Sequence, residues 1–85
     1  MSLKLNIYTA TFAARCPNDG AMIDYTLEIR TPETLMVERI NEATGAIEAG
    51  IQEQIADQLH DSFGGELRIW GTHQGVEVET VRLLE

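Results

Sequence analysis

The chemistry in this chain can begin at Cys16, the sole cysteine, at the centre of the stretch FAARCPNDGAMID from Phe12 to Asp24. A thiolate is a strong nucleophile, and a nearby carboxylic acid can supply the proton that its adduct needs. Cys16 and Asp24 flank Pro17-Asn18-Asp19-Gly20, a turn signal, so a hairpin there is expected to bring thiol and carboxyl within reach across it. A lone cysteine also has a plain reading, as a small apolar residue packed without reactivity. His60, His73 and Cys16 include no closely spaced ligand pair, and no metal site is expected from them. Read from spacing alone, Glu48 is a solvent-facing acid on a helix. Trp70 is either a subunit contact or a surface on which a ring could stack.

The elements that must position these residues follow from hydrophobic periodicity. From Leu3 to Phe12 the apolar positions shift from Leu5 and Ile7 to Ala10 and Phe12, which predicts a first strand with a bulge or bend near Tyr8 to Thr9. Ala21 to Arg30 alternates Ile23, Tyr25, Leu27 and Ile29 with Asp24, Thr26, Glu28 and Arg30, so it returns as a strand with Asp24 off the core face. Thr31-Pro32-Glu33 reads as an N-cap, a proline in the first helical position and a first-turn acid, although an extended segment through Val37 fits as well. Ile40, Ala43, Ile47, Ile51, Ile55, Leu59 and Phe63 form one helical stripe, with a break expected near Gly45 because glycine weakens a helix. Gly64-Gly65 stops the helix. Glu66 to Trp70 and Val76 to Leu83 then alternate as strands around a turn from Gly71 to Gly75. The order predicts an α+β domain over residues 1–85: a four-stranded antiparallel sheet with one or two helices between strands 2 and 3.

Composition narrows the function classes. The chain has 85 residues, is 44% hydrophobic and carries a formal charge of −8, which describes one globular domain too small to enclose a deep cavity alone. Six basic residues against 14 acidic ones argue against a phosphate-backbone partner, because nucleic-acid affinity rests on clustered Lys and Arg. Acidity of this size serves solubility, or else mimicry of nucleic acid on a basic partner. No apolar run reaches membrane-spanning length and no signal-peptide pattern opens the chain. With one cysteine and no internal disulfide, a cytoplasmic location is expected.

TATFAARCPNDGAMID, followed by YTLEIRTPETLMVE, resembles the segment around the catalytic cysteine of the cyano-deazaguanine (preQ0) nitrile reductases of queuosine biosynthesis. That family carries F-x-x-x-C-P-x-x-G-x-x-D, or nearly so, and then an L-V-E element. AIEAGIQEQIADQLHDSFGGELRIWGTHQGVEVE is similar to its H-E helix, V-W-G strand and Gly-rich turn. The resemblance implies the tunnelling fold, in which copies assemble into barrels with active sites at subunit interfaces, so a homo-oligomer is expected. It implies Cys16 as the nucleophile that forms a thioimide with a nitrile, and Asp24 as the proton donor. It implies Glu48, with Glu38 of the L-V-E element, as acids that bind a deazaguanine, purine-like or pterin-like ring; a carboxylate can accept paired hydrogen bonds from a guanine-like edge.

The sequence also departs from the family. Cys16 to Asp24 is one residue longer than the family spacing, Ile47 replaces the histidine before the substrate glutamate, and Gln74-Gly75 stands where the family has Arg-Gly-Gly. Most of the lysine- and aromatic-bearing segment that helps hold the nicotinamide cofactor is missing between Glu38 and Glu48, so NADPH is not assigned. Two functions follow as expectations: thioimide chemistry on a deazaguanine, with a hydride or an amine as second reactant, or a non-catalytic acidic binding or assembly module that keeps the fold only.

Overall fold

The computed structural model describes residues 4–83. β1 (Asn6–Arg15), β2 (Met22–Thr31), β3 (Glu66–His73) and β4 (Val76–Arg82) form one sheet in the order β1-β2-β3-β4. All neighbouring pairs are antiparallel. Two helices, α1 (Val37–Gly45) and α2 (Gln52–Phe63), lie between β2 and β3. This is the expected α+β architecture. The expected start of the first strand at Leu3 lies outside the described residues.

β1 carries no bulge. Its register with β2 runs unbroken from Asn6↔Thr31 to Arg15↔Met22. The shift in apolar phase has another cause: Leu5 and Ile7 are exposed, while Tyr8, Ala10, Phe12 and Ala14 pack into the core. The core face is completed by Ile23, Tyr25, Leu27 and Ile29 from β2 and by Leu67 and Ile69 from β3. Helix residues Ile40, Ile55, Ala56, Leu59 and Phe63 cover it. The opposite face is polar, with ion pairs from Arg30 to Glu28 and from Arg68 to Glu66 and Glu79. Trp70 lies half-buried on that face.

The helical region begins later than Thr31-Pro32-Glu33 suggested. Thr31 still belongs to β2, opposite Asn6, and its Oγ1 accepts from the Glu33 amide at 3.2 Å, a local turn rather than a helix cap. Pro32 and Glu33 bend, Met36 is extended at φ −74° and ψ 123°, and Val37 already belongs to α1. The break at Gly45 is present and wider than expected. Residues 46–51 leave the helix and run beside the end of β1: the Arg15 amide donates to Glu48 O at 2.9 Å and the Gly50 amide to Arg15 O at 3.1 Å. Ile51 leaves the buried stripe and is exposed. α2 ends on Gly64, whose φ of 67° is the left-handed region that glycine adopts without strain.

β3 is longer than expected, reaching His73, and the β3–β4 turn shrinks to Gln74 and Gly75, at φ 50° and 83°. Gly71 therefore sits inside the strand, where the Tyr25 ring crosses it. A Cβ there would lie 2.6 Å from Tyr25 Cε1 and 2.8 Å from Cδ1.

Candidate functional site

Cys16 follows directly on β1 and starts the hairpin to β2. Its amide donates to Ala21 O and its carbonyl accepts from the Gly20 amide, both at 2.8 Å, so the loop of residues 17–20 is closed at its base. Asp19 Oδ1 accepts from the Ala21 amide at 3.0 Å, the side-chain turn bond for which Asp is favoured in such loops. Its other oxygen accepts from Gln74 Nε2 at 3.2 Å. That bond ties the β1–β2 loop to the β3–β4 turn. The Ala21 amide first, then the Gln74 amide and, more weakly, the Cys16 thiol hold the Asp19 carboxyl below its ordinary value of 3.8.

Between the two turns and the start of α2 lies a cavity of about 230 Å³. Cys16, Asn18 and Asp19 form one wall, Ile51, Gln52 and Glu53 a second, and His73 and Gln74 a third, with Val78 completing it. Cys16 is a free thiol, buried at 9% exposure, and lines this cleft.

Gln52 orders the interior side of the cleft. It stands on the buried stripe of α2 and is 2% exposed. Its Nε2 donates towards Ile69 O at 3.1 Å, Val78 O at 2.9 Å and Thr80 Oγ1 at 3.1 Å. Backbone carbonyls only accept, so the amide orientation is fixed by chemistry. Its Oε1 must then face His73 Nε2, 2.7 Å away. His73 therefore carries a proton on Nε2. The His73 ring lies 5.9 Å from that of Tyr25, which stacks on Phe12 at 5.3 Å. The Tyr25 hydroxyl is buried with no hydrogen-bond partner among the described residues. Burial first, and then the nearby Cys16 and Glu53, push its pKa above 10.0.

Asp24 is not brought to Cys16. It pairs with Ala13 on β2 between the buried Ile23 and Tyr25, so the pleat turns it to the polar face of the sheet. Cys16 shares the core side with Ala14. The carboxyl beside the thiol is that of Asp19, which spacing to the resembled motif did not single out. Glu48 is exposed in the segment that bridges to Arg15, next in sequence to Cys16. Glu38 is exposed in the first turn of α1. The segment before that helix is fixed to the start of β1 by the Leu35 amide donating to Tyr8 Oη at 2.9 Å. At about 3.3 Å per strand residue, Tyr8 stands roughly 25 Å from Cys16. Within one copy, Glu38 and Cys16 do not share a site.

Among the described residues, no group of three or more His, Cys, Asp or Glu side chains could hold a metal ion. Nor is any helix there long and apolar enough to cross a membrane. The cavity walls hold Asp19 and Glu53 and no Lys or Arg. They offer the phosphates of a nicotinamide dinucleotide no cationic side chain.

The order of elements, the sheet topology and the pair of helices between β2 and β3 give the chain a QueF-like tunnelling fold. Among solved structures, the chain is similar to the archaeosine synthase QueF-like protein in its apo form. The TM-score is 0.78 at 17% identity, over 96% of this chain and 94% of that one. No family model matches the chain, and no curated protein matches it.

Proposed function

We propose that this protein uses Cys16 to form a thioimide with the nitrile of a deazaguanine-like ring and passes the adduct to an amine. The carrying observation is the placement of Cys16 in a cleft beside Asp19, Gln52 and His73; the fold shared with an archaeosine synthase QueF-like protein supports the reading. In the first step the sulfur–carbon bond forms, one π bond of the nitrile breaks, and nitrogen takes up the thiol's proton. In the second, an amine forms a bond to the same carbon, the carbon–sulfur bond breaks, and an amidine leaves with the thiol restored. Neither step changes the overall oxidation level. The sequence agrees, since the stretch from Arg39 to Ile47 has no lysine and no aromatic residue.

At about 230 Å³ the cleft is smaller than the roughly 300–1,000 Å³ typical of a complete small-ligand site. A second copy is proposed to close it, and Glu38 joins Glu48 in holding the ring only if the neighbouring copy supplies it. The test is intact-protein mass after incubation with cyano-deazaguanine, followed by addition of ammonium. An adduct of the ligand's mass on wild type and not on Cys16→Ala, discharged by ammonium as the amidine, is the expected result. Absence of any adduct on a folded wild-type protein refutes the proposal.

A further inference from the structure

We propose that His73 is the proton carrier of this site, taking the thiol's proton on Nδ1 as Cys16 adds to the nitrile and delivering it to the nitrile nitrogen. This rests on the reading of Cys16 given above. The sulfur–carbon bond forms, one carbon–nitrogen π bond breaks, and the proton that leaves sulfur ends on nitrogen, so no further reactant is needed.

The assignment follows from the hydrogen-bond pattern around Gln52. Its amide nitrogen is committed to the Ile69 and Val78 carbonyls, so its oxygen can only accept, and His73 Nε2 must donate to it. A neutral imidazole with its proton on Nε2 presents Nδ1 as a base. Among the described residues, His73 makes its hydrogen bond through Nε2, and both His73 and Cys16 line the cavity. Gln52 is thus a positioning residue: buried and anchored to β3 and β4, it selects the tautomer, as an orienting partner does for other histidine bases.

The other ionisable groups around the imidazole are less suited. Asp19 is held ionised by the Ala21 and Gln74 donors, so it favours a positive charge on the ring more than it donates a proton. Tyr25, packed against the ring from β2, holds its proton more firmly than an ordinary tyrosine. Glu53 on α2 and the Cys16 thiol complete the surroundings. Asp24 faces the other side of the sheet. Imidazole is the side chain whose ordinary titration range lets it accept and release a proton near neutral pH.

The experiment measures the rate of the Cys16 adduct with cyano-deazaguanine from pH 5.5 to 9 in wild type and in His73→Gln, which can still donate to Gln52 Oε1. Loss of the proton carrier is expected to slow the variant by about 100-fold at pH 7 and to change the pH profile of the rate. An equal rate and an unchanged profile in a folded His73→Gln overturn the role of His73 while leaving thioimide formation standing. No adduct in wild type overturns both. Nitrogen-15 NMR of the wild-type imidazole supplies a readout that does not depend on the variant folding. The Nε2-protonated tautomer is expected, and an Nδ1-protonated ring overturns the assignment.

Discussion

Replacing Gly71 by alanine tests whether the Tyr25 ring is where this account needs it. A Cβ at that position meets Tyr25 Cε1 at 2.6 Å, Cδ1 at 2.8 Å and Ile23 Cγ2 at 3.0 Å, so something must move by most of an ångström. The ring has little room to yield, because Phe12 stacks on it with ring centroids 5.3 Å apart and Tyr25 is 1% exposed. Forcing a methyl into a well-packed core costs about 1–3 kcal/mol. Removing a glycine from a strand interior returns about 0.5–1 kcal/mol, which leaves a net loss of about 1 kcal/mol at the centre of these ranges and about 2.5 kcal/mol at most. A domain of this size has roughly 4–13 kcal/mol in total and loses about 1 kcal/mol per molar urea, so the urea midpoint should fall by about 1 M, and by about 2.5 M at most. Fluorescence of Trp70, the sole tryptophan, and far-UV circular dichroism should report the same transition. Gly45→Ala is the control: nothing lies within 4 Å of its added methyl, and it should raise stability by about 0.4–1 kcal/mol. If Gly71→Ala is as stable as wild type, the ring does not cross the strand there.

Tyr25→Phe deletes a buried hydroxyl with no hydrogen-bond partner among the described residues; urea unfolding should show no loss, or a gain of up to about 1 kcal/mol, and a loss above about 1 kcal/mol would mean the hydroxyl is bonded. Gln52→Ala removes the donor to two carbonyls and to Thr80 and should cost about 2–4 kcal/mol; a cost under about 0.5 kcal/mol by the same assay would contradict its anchoring role. Because the folded Asp19 carboxyl titrates below 3.8, its contribution is complete above the unfolded value and is lost as pH falls through the lower folded one. Carboxyl-carbon NMR should place its midpoint below 3.8, and a midpoint at or above that value refutes the hydrogen bonding of this carboxyl by the Ala21 and Gln74 amides.

Much of the fold was legible because period-2 and period-3.6 patterns report burial directly. The alternation from Ile23 to Ile29 fixed β2, and the stripe from Ile55 to Phe63 fixed α2. The start of the helical region was not legible at Thr31, since its hydroxyl can cap a helix or close a turn and only its pairing with Asn6 decides. Leu5 and Ile7 suggested a bulge because exposed apolar side chains imitate a change of phase. Glu48 fell on a helical spacing, yet the backbone there pairs with Arg15, a long-range contact that local periodicity does not encode.

The site shows the same division. Cys16 at a strand end was readable from the turn residues that follow it. The alternation already set Asp24 off the core face; with Ala14 and Ile23 paired and both buried, it also leaves Cys16 on the near side, so the expected pairing of thiol and carboxyl across the hairpin does not form within one copy. Two signals went unused. Gln52 occupies a core position on a stripe with Ile55, Ala56, Leu59 and Phe63, and His73 continues the core face of Leu67, Ile69 and Gly71. A polar side chain at such a position must find partners, and here each is the partner of the other.

The most direct test of the central claim is the mass of the intact protein after exposure to cyano-deazaguanine without any nicotinamide cofactor. The account predicts a gain equal to one ligand on wild type, none on Cys16→Ala, and loss of that gain when ammonium is added. A folded wild-type protein whose mass does not change, and whose Cys16 also resists iodoacetamide, would contradict it and leave an acidic assembly module as the reading of this fold.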